Sequence, residues 1–472
     1  MEGTWIYSPA SIRFKTDDNL WFASSIYLSN GTLEMIVSLC PALARATDQF
    51  PQGELMAALR TSITPTNIVW DEICPRVTQS LPNLSRLLSK LSGFKMSPNE
   101  LPKVTVFDFC KKNIKRNSLQ MQHGQAFSIG TCDENTSVRI LSCPFGSVNP
   151  ALFLGYQSTG NISYVAPHNN FMLLDARYLD NMEGGIVNNE AGQSLGLVYC
   201  QVAKSGGEGK LVIAVSWSDI MHALRLPSKE FPTMNNKIST AKGPGFVVGV
   251  SVSLKGNRRA WGSGVLIDNL IVVTNKHVVS DDYLTVEILF RDGSAIPVQA
   301  VAEPIRDVDL VFLKLQSSSS YSPAVLAENT PEIGAVVKSF GFGLIFPGRI
   351  GSIQPLYSSG IVATRHCTQI YESGDPSSCA MIVSSASCWN GSSGGPLLNV
   401  RQELVGIMAS NGRDESSGEI MPDMAFVVPI NVVKLGLKCL KEGKPIQASR
   451  SMKALWNLQS THTDSKRPYS RL

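Results

Sequence analysis

The sequence holds no Cys-x-x-Cys pair and no apolar run near the ~20 residues that cross a bilayer. It also lacks a basic-then-apolar N-terminal stretch of the kind that leads secretion. Its ten cysteines (Cys40, Cys74, Cys110, Cys132, Cys143, Cys200, Cys367, Cys379, Cys388 and Cys439) fall at no metal-ligand or haem-attachment spacing. No metal and no cofactor is therefore expected, and in a non-secreted chain the cysteines are expected as thiols. Excess charge is missing too: 42 Lys and Arg against 38 Asp and Glu leave +4 on 472 residues. That balance argues against a nucleic-acid partner and against a membrane surface. The five glycosylation-type sequons, at Asn30, Asn83, Asn135, Asn161 and Asn390, carry little weight without secretion.

What is present is a chain 43% hydrophobic, long enough for two or three domains. Residues 244–440 read as short apolar strands separated by turns: FVVGVSVSL, GSGVLID, LIVVTN, LTVEILF, LVFLKL, VVKSFGFG and others. The hairpin signal Arg291-Asp292-Gly293-Ser294 lies between two of them, and a helix from Asn431 to about Leu440 is expected to close the unit. Many short strands in this span predict a barrel or sandwich.

The N-terminal half repeats the pattern. Arg177–Gly185 aligns with Ser387–Gly395 at a constant separation of 210 residues, and without a gap Ala176 meets Ala386, Asn189 meets Asn399 and Gly196 meets Gly406. Upstream, Ser25-Ile26-Tyr27-Leu28 resembles Gly264-Val265-Leu266-Ile267. These matches predict a tandem duplication. The expected organisation is a domain over 1–225 with an insertion at about 70–120, a polar linker over 226–243, a domain over 244–445 and a flexible tail over 446–472. Within the insertion, LSRLLSKL suggests a turn or two of helix, and Lys111-Lys112-Asn113-Ile114-Lys115-Arg116 reads as a solvated loop.

Three segments of the second half carry chemistry. In Trp389-Asn390-Gly391-Ser392-Ser393-Gly394-Gly395-Pro396, glycines around Ser393 permit a tight turn, so that the N–H groups of Gly391 and Ser393 can converge as an oxyanion hole. In Val273-Thr274-Asn275-Lys276-His277-Val278-Val279, an apolar strand runs into His277, whose imidazole suits a general base. In Asp307-Val308-Asp309 followed by LVFLKL, a carboxylate opens an apolar strand and needs a partner; accepting from His277 Nδ1 would supply one. Asp307 and Asp309 share a face at period two, so the pattern leaves both open. Asp309 is favoured because the apolar run begins just after it, which makes Asp307 a surface carboxylate.

The order His277, Asp309, Ser393 within TNKHVV, DLVFLKL and GSSGGP resembles the chymotrypsin-fold serine proteases, in particular their Deg/HtrA branch, over residues 244–440. With the altered N-terminal half and the terminal Ser470-Arg471-Leu472, a variant of the Ser-Lys-Leu peroxisomal address, the whole chain is similar to the peroxisomal processing proteases. The resemblance implies a mostly β fold: two tandem chymotrypsin-like double β-barrel units, the N-terminal one degenerate. It implies a serine endopeptidase of the peroxisomal matrix that removes targeting leaders from imported proteins, makes limited cuts in β-oxidation enzymes and cuts itself. Its expected partners are matrix-protein precursors, the import receptor for the terminal tripeptide, and a second copy of itself.

Further expectations follow from that frame. The residue six before the nucleophile, at the base of the pocket for the side chain preceding the cut, is Ser387. It is neutral, which predicts small or mildly polar residues there rather than Lys or Arg. Cys388 is expected to be a packed, inert thiol, and Cys110 a candidate self-cleavage position. Only 32 residues follow Leu440, too few for a PDZ domain. In the first half Glu183 takes the place of Ser393, and Ser38-Leu39-Cys40-Pro41 faces TNKH without a base, so that half is expected to be catalytically dead. Two alternatives remain: a non-catalytic scaffold of the same fold, and a secreted trypsin-like enzyme.

Overall fold

The computed structural model describes residues 5–457 apart from 31–32, 51, 60–62, 65–66, 83–101, 111–124, 133–135, 146–147, 167–170, 203–210, 226–242, 257, 280–282, 345–353 and 414–419. The expected LSRLLSKL helix, the basic run 111–116, nearly all of the linker and the terminal tripeptide lie outside the described residues. The chain divides into two compact units, residues 1–205 with 210–241 and residues 206–209 with 242–472.

In the second unit, strands Val247–Leu254, Arg258–Asp268, Ile271–Thr274, Val311–Leu315, Ala295–Ala302 and Tyr283–Leu289 pair in that order and close into a barrel. Strands Val336–Gly341, Leu356–Cys367, Cys379–Ser384, Ile420–Pro429, Leu404–Arg413 and Pro396–Asn399 close a second. Period-two alternation makes the first barrel: Val248, Val250 and Val252 point inward onto Leu266, Val272, Ile288 and Leu313, all fully buried. The opposite faces are apolar as well. Val247, Val265, Val273 and Phe312 of the first barrel join Phe340, Leu398, Ile407 and Val428 of the second in one core, so the two barrels share buried surface. The predicted hairpin forms at Arg291–Ser294, with Gly293 at φ +87°. The closing helix runs Ile430–Glu442 and stops at Gly443, whose φ of +65° only glycine adopts cheaply.

The first unit repeats this order. Strands Ile6–Lys15, Leu20–Ser29, Glu34–Ser38, Lys103–Phe109, Asp71–Ser80 and Glu54–Leu59 pair in sequence, and the last returns to the first. Strands Ser137–Ser142, Tyr156–Val165, Phe171–Ala176, Leu211–Ser216, Ser194–Val202 and Ile186–Asn189 form a closed barrel. The chain is thus mostly β, with a double barrel in each half.

Two expected boundaries change. The insertion expected over 70–120 contains two strands of the first barrel, Asp71–Ser80 and Lys103–Phe109. Asp71–Ser80 was hard to see because it is largely exposed, carries Pro75 and bulges between Pro75 and Val77, which erases the alternation. The tail expected to be flexible from 446 instead forms the strand Ile446–Gln447 and the helix Arg450–Trp456. Ser449 caps that helix by accepting from Met452 N–H, and Ala448 and Met452 are buried in the shared core. So short an apolar stripe within a polar segment gives little periodic signal.

Candidate active site

Each proposed catalytic side chain sits where a strand ends and a tight backbone feature begins. Strand Ile271–Thr274 stops short of His277, which lies instead in the 3-10 turn Lys276–Val278; Val278 and Val279 anchor that turn in the barrel core. Asp309 precedes strand Val311–Leu315. Its Oδ2 lies 2.7 Å from His277 Nδ1, and its Oδ1 accepts the His277 backbone N–H at 3.0 Å. Fully buried Asn275 donates from Nδ2 to the Asp309 carbonyl at 2.9 Å. One carboxylate therefore holds both ends of the histidine, placing the ring proton on Nδ1 and leaving Nε2 as the acceptor.

Of the two aspartates, Asp309 meets the histidine ring and Asp307 does not. Asp307 takes φ +62° and points outward, where Lys453 Nζ lies 2.6 Å from its carboxylate and Gln447 Nε2 donates to the same oxygen. The hydrogen bond from Lys453 holds the Asp307 carboxyl below the usual carboxylate range. Strand Ile446–Gln447 pairs in parallel with Ile305–Arg306, so the C-terminal segment braces the loop that leads to Asp309. Sequence reasoning missed this brace, as it missed Asn275; both depend on partners far along the chain.

The turn around Ser393 is held by donors from both barrels. Gly391 adopts φ +93°, and a Cβ there would lie 2.5 Å from Trp261 Nε1 and 2.7 Å from the Phe342 carbonyl. The Ser263 hydroxyl donates to Gly391 O at 2.8 Å while accepting from Phe342 N–H at 2.8 Å. Leu344 N–H fixes the Asn390 carbonyl at 2.7 Å, and Ser392 N–H donates to Trp389 O at 2.7 Å. With these peptides oriented, the N–H groups of Gly391 and Ser393 have no acceptor among the described residues. Gly394, at φ +86°, passes so close to Ser263 O that a Cβ would stand 2.0 Å away. Ser393 Oγ donates to the Ala409 carbonyl at 2.9 Å rather than to His277. The histidine–aspartate pair is thus assembled, while the Ser393 hydroxyl is engaged with the Ala409 carbonyl.

Ser387 is buried; its N–H donates to Ser358 Oγ and its carbonyl accepts from Ser339 Oγ, both at 2.9 Å. Cys388 packs in the core of the second barrel, where burial pushes its thiol up to about 12 and keeps it protonated. Cys110 is exposed at the end of strand Lys103–Phe109.

The first unit keeps the frame of that turn, with Glu183 where the second unit has Ser393. The Ser24 hydroxyl donates to Asn181 O at 2.6 Å and accepts from Cys143 N–H at 2.7 Å, matching Ser263 with Gly391 and Phe342. Gly184 N–H bonds Val198 O at 2.8 Å, as Gly394 N–H bonds Met408 O at 2.8 Å. The same pattern of hydrogen bonds around both turns supports the duplication. Glu183 stands in the nucleophile position, its carboxyl bonded to Tyr178 and to its own N–H; burial nevertheless pushes it up from the ordinary range. A raised carboxyl favours the protonated fold. That stability is complete below the unfolded value and is lost as pH rises through the folded one. Glu183→Gln is therefore expected to melt a few degrees above the wild type at pH 8 and to match it near pH 4, as read by thermal scans.

Residues 262–407 match the family model of the trypsin-like peptidase domain. Over 381 residues (74% of the chain), it is 25% identical to the human (Homo sapiens) peroxisomal leader peptide-processing protease. Over 193 residues (40% of the chain, 51% of the relative), it is 28% identical to serine endoprotease DegS of Escherichia coli (strain K12). A solved serine endoprotease from Yersinia pestis aligns with TM-score 0.33 and 23% identity, covering 43% of this chain and 65% of that one. The match to the human relative spans 65% of that protein's length.

Proposed function

We propose that this chain is a serine endopeptidase of the peroxisome that removes leader peptides from imported proteins. The observation that carries the catalytic reading is the Asp309 carboxylate holding His277 at both Nδ1 and the backbone N–H. The substrate and the compartment rest on the likeness to peroxisomal leader peptide-processing proteases. In this mechanism the Ser393 hydroxyl turns from the Ala409 carbonyl, gives its proton to His277 Nε2 and attacks the scissile carbonyl. Charge on that oxygen is taken by the N–H groups of Gly391 and Ser393. His277 then passes the proton to the leaving amine, and water hydrolyses the acyl-Ser393 ester by the same route in reverse. Asp309 keeps accepting from Nδ1 throughout and steadies the imidazolium.

In this reading Ser387 forms the base of the pocket before the cut, and it favours small or mildly polar side chains because its neutral side chain offers no counter-charge to a substrate cation. Limited cutting of β-oxidation enzymes, self-cleavage at Cys110, docking to an import receptor and self-association belong to the same reading. The test incubates leader-bearing peroxisomal precursors with wild type and Ser393→Ala and reads the new N-termini by mass spectrometry. New termini preceded by small neutral residues, found only with the wild type, are expected. Equal cutting by both proteins, or a preference for Arg before the cut, would overturn it.

A further inference from the structure

Two cysteines away from the catalytic turn face each other across a strand pair. Strand Leu356–Cys367 ends on Cys367, strand Cys379–Ser384 begins on Cys379, and the two residues are direct partners in the antiparallel register, beside a bulge at His366/Cys367. Opposed residues of an antiparallel pair hold their Cα atoms about 4.5–5.5 Å apart, within the ~4.4–6.8 Å that a disulfide spans. Both are free thiols, Cys367 exposed and Cys379 buried. The Cys379 thiol donates to the Met381 carbonyl at 3.6 Å, and burial first, then the neighbouring Cys367, pushes it up to about 11. No other cysteine among the described residues has a second cysteine as its strand partner.

The segment between them seats the C-terminal brace. Thr368 N–H bonds Ser378 O at 2.9 Å across its base; Ile370 O accepts Ser449 N–H at 2.9 Å, and Glu372 Oε1 accepts Arg450 N–H at 2.8 Å. A covalent link at 367–379 would therefore close the loop that holds the segment bracing Asp307.

We propose that Cys367 and Cys379 are a thiol-modification site that forms a reversible disulfide on meeting a hydroperoxide. Exposed Cys367, as thiolate, attacks the distal peroxide oxygen; the O–O bond breaks, an alcohol or water leaves, and a sulfenic acid forms. The Cys379 sulfur then attacks the sulfenic sulfur, the S–S bond forms, and hydroxide leaves with the thiol proton as water. Two thiols and one hydroperoxide give one disulfide, one alcohol (or water) and one water. This inference does not depend on the proteolytic reading.

The test treats the full chain with graded hydrogen peroxide, blocks the remaining thiols with N-ethylmaleimide and maps peptides by mass spectrometry. A 367–379 cross-linked peptide pair is expected, two hydrogens lighter than its parts and reversed by dithiothreitol. It is expected to be absent in Cys367→Ser and in Cys379→Ser. Closing so short a loop is expected to raise the melting temperature of the wild type, and of neither variant, by roughly 5–10 °C. If both thiols stay alkylatable at doses that oxidise exposed Cys74 and Cys110, the proposal fails. It also fails if either pairs with another cysteine, or if the temperature shift persists in Cys367→Ser.

Discussion

Ser393→Ala is expected to lower kcat for peptide hydrolysis by about 10⁵–10⁶, with KM changed far less. In the proposed mechanism this removes only the nucleophile: the Gly391 N–H, held by the Leu344 and Ser263 contacts, would still receive a carbonyl oxygen. A residual rate of about 10³–10⁴ over water should therefore remain. Adding His277→Ala should cost little more, since a base without a nucleophile, or the reverse, has no role to lose. The fold should hardly notice. The deleted hydroxyl donates one hydrogen bond to Ala409 O, worth about 0.5–1.5 kcal/mol, so melting temperatures should stay within a few degrees. Steady-state kinetics on a peptide cut by the wild type, with a fluorophosphonate label as an independent count of active serines, checks this. A variant keeping a tenth of the activity would remove Ser393 from the nucleophile's place.

The parts of the site legible in the sequence were those whose chemistry is local. Glycines on both sides of Ser393 announce a turn because Gly391 and Gly394 occupy positive φ with backbone or ring atoms where a Cβ would stand. LVFLKL reads as a strand because its alternate residues enter two different cores. The repeat was legible for the same reason: the turn at 181–185 keeps the hydrogen bonds of the turn at 391–395 even though Glu183 has replaced the serine. What stayed hidden depends on partners distant in sequence. Asn275 meets Asp309, and Lys453 meets Asp307, only after the barrel has closed. Period two could not separate Asp307 from Asp309; the left-handed turn at Asp307 does, by sending one carboxylate outward to Lys453 and the other to the ring.

That division supports the second large effect. Asp309→Asn is expected to reduce kcat by about 10⁴ while leaving the fold and substrate affinity close to unchanged. The carboxylate now accepts at both oxygens, one from His277 Nδ1 and one from the His277 backbone N–H. An amide has one acceptor and one donor in the same volume. If its oxygen keeps the backbone N–H, its NH₂ faces Nδ1, which must then become the acceptor. The ring proton moves to Nε2, which then donates and has no lone pair free to take the Ser393 proton. The positive ring formed during attack also loses its counter-charge. Asp307→Asn is the internal comparison: it neutralises an exposed carboxylate two residues away, paired with Lys453 and Gln447, and surface pairs of that kind contribute little. Its kcat should stay within about threefold of the wild type, which separates the two aspartates by more than three orders of magnitude. Should Asp307→Asn prove the crippled enzyme and Asp309→Asn the active one, the 2.7 Å contact to Nδ1 would not be the one that orients the base.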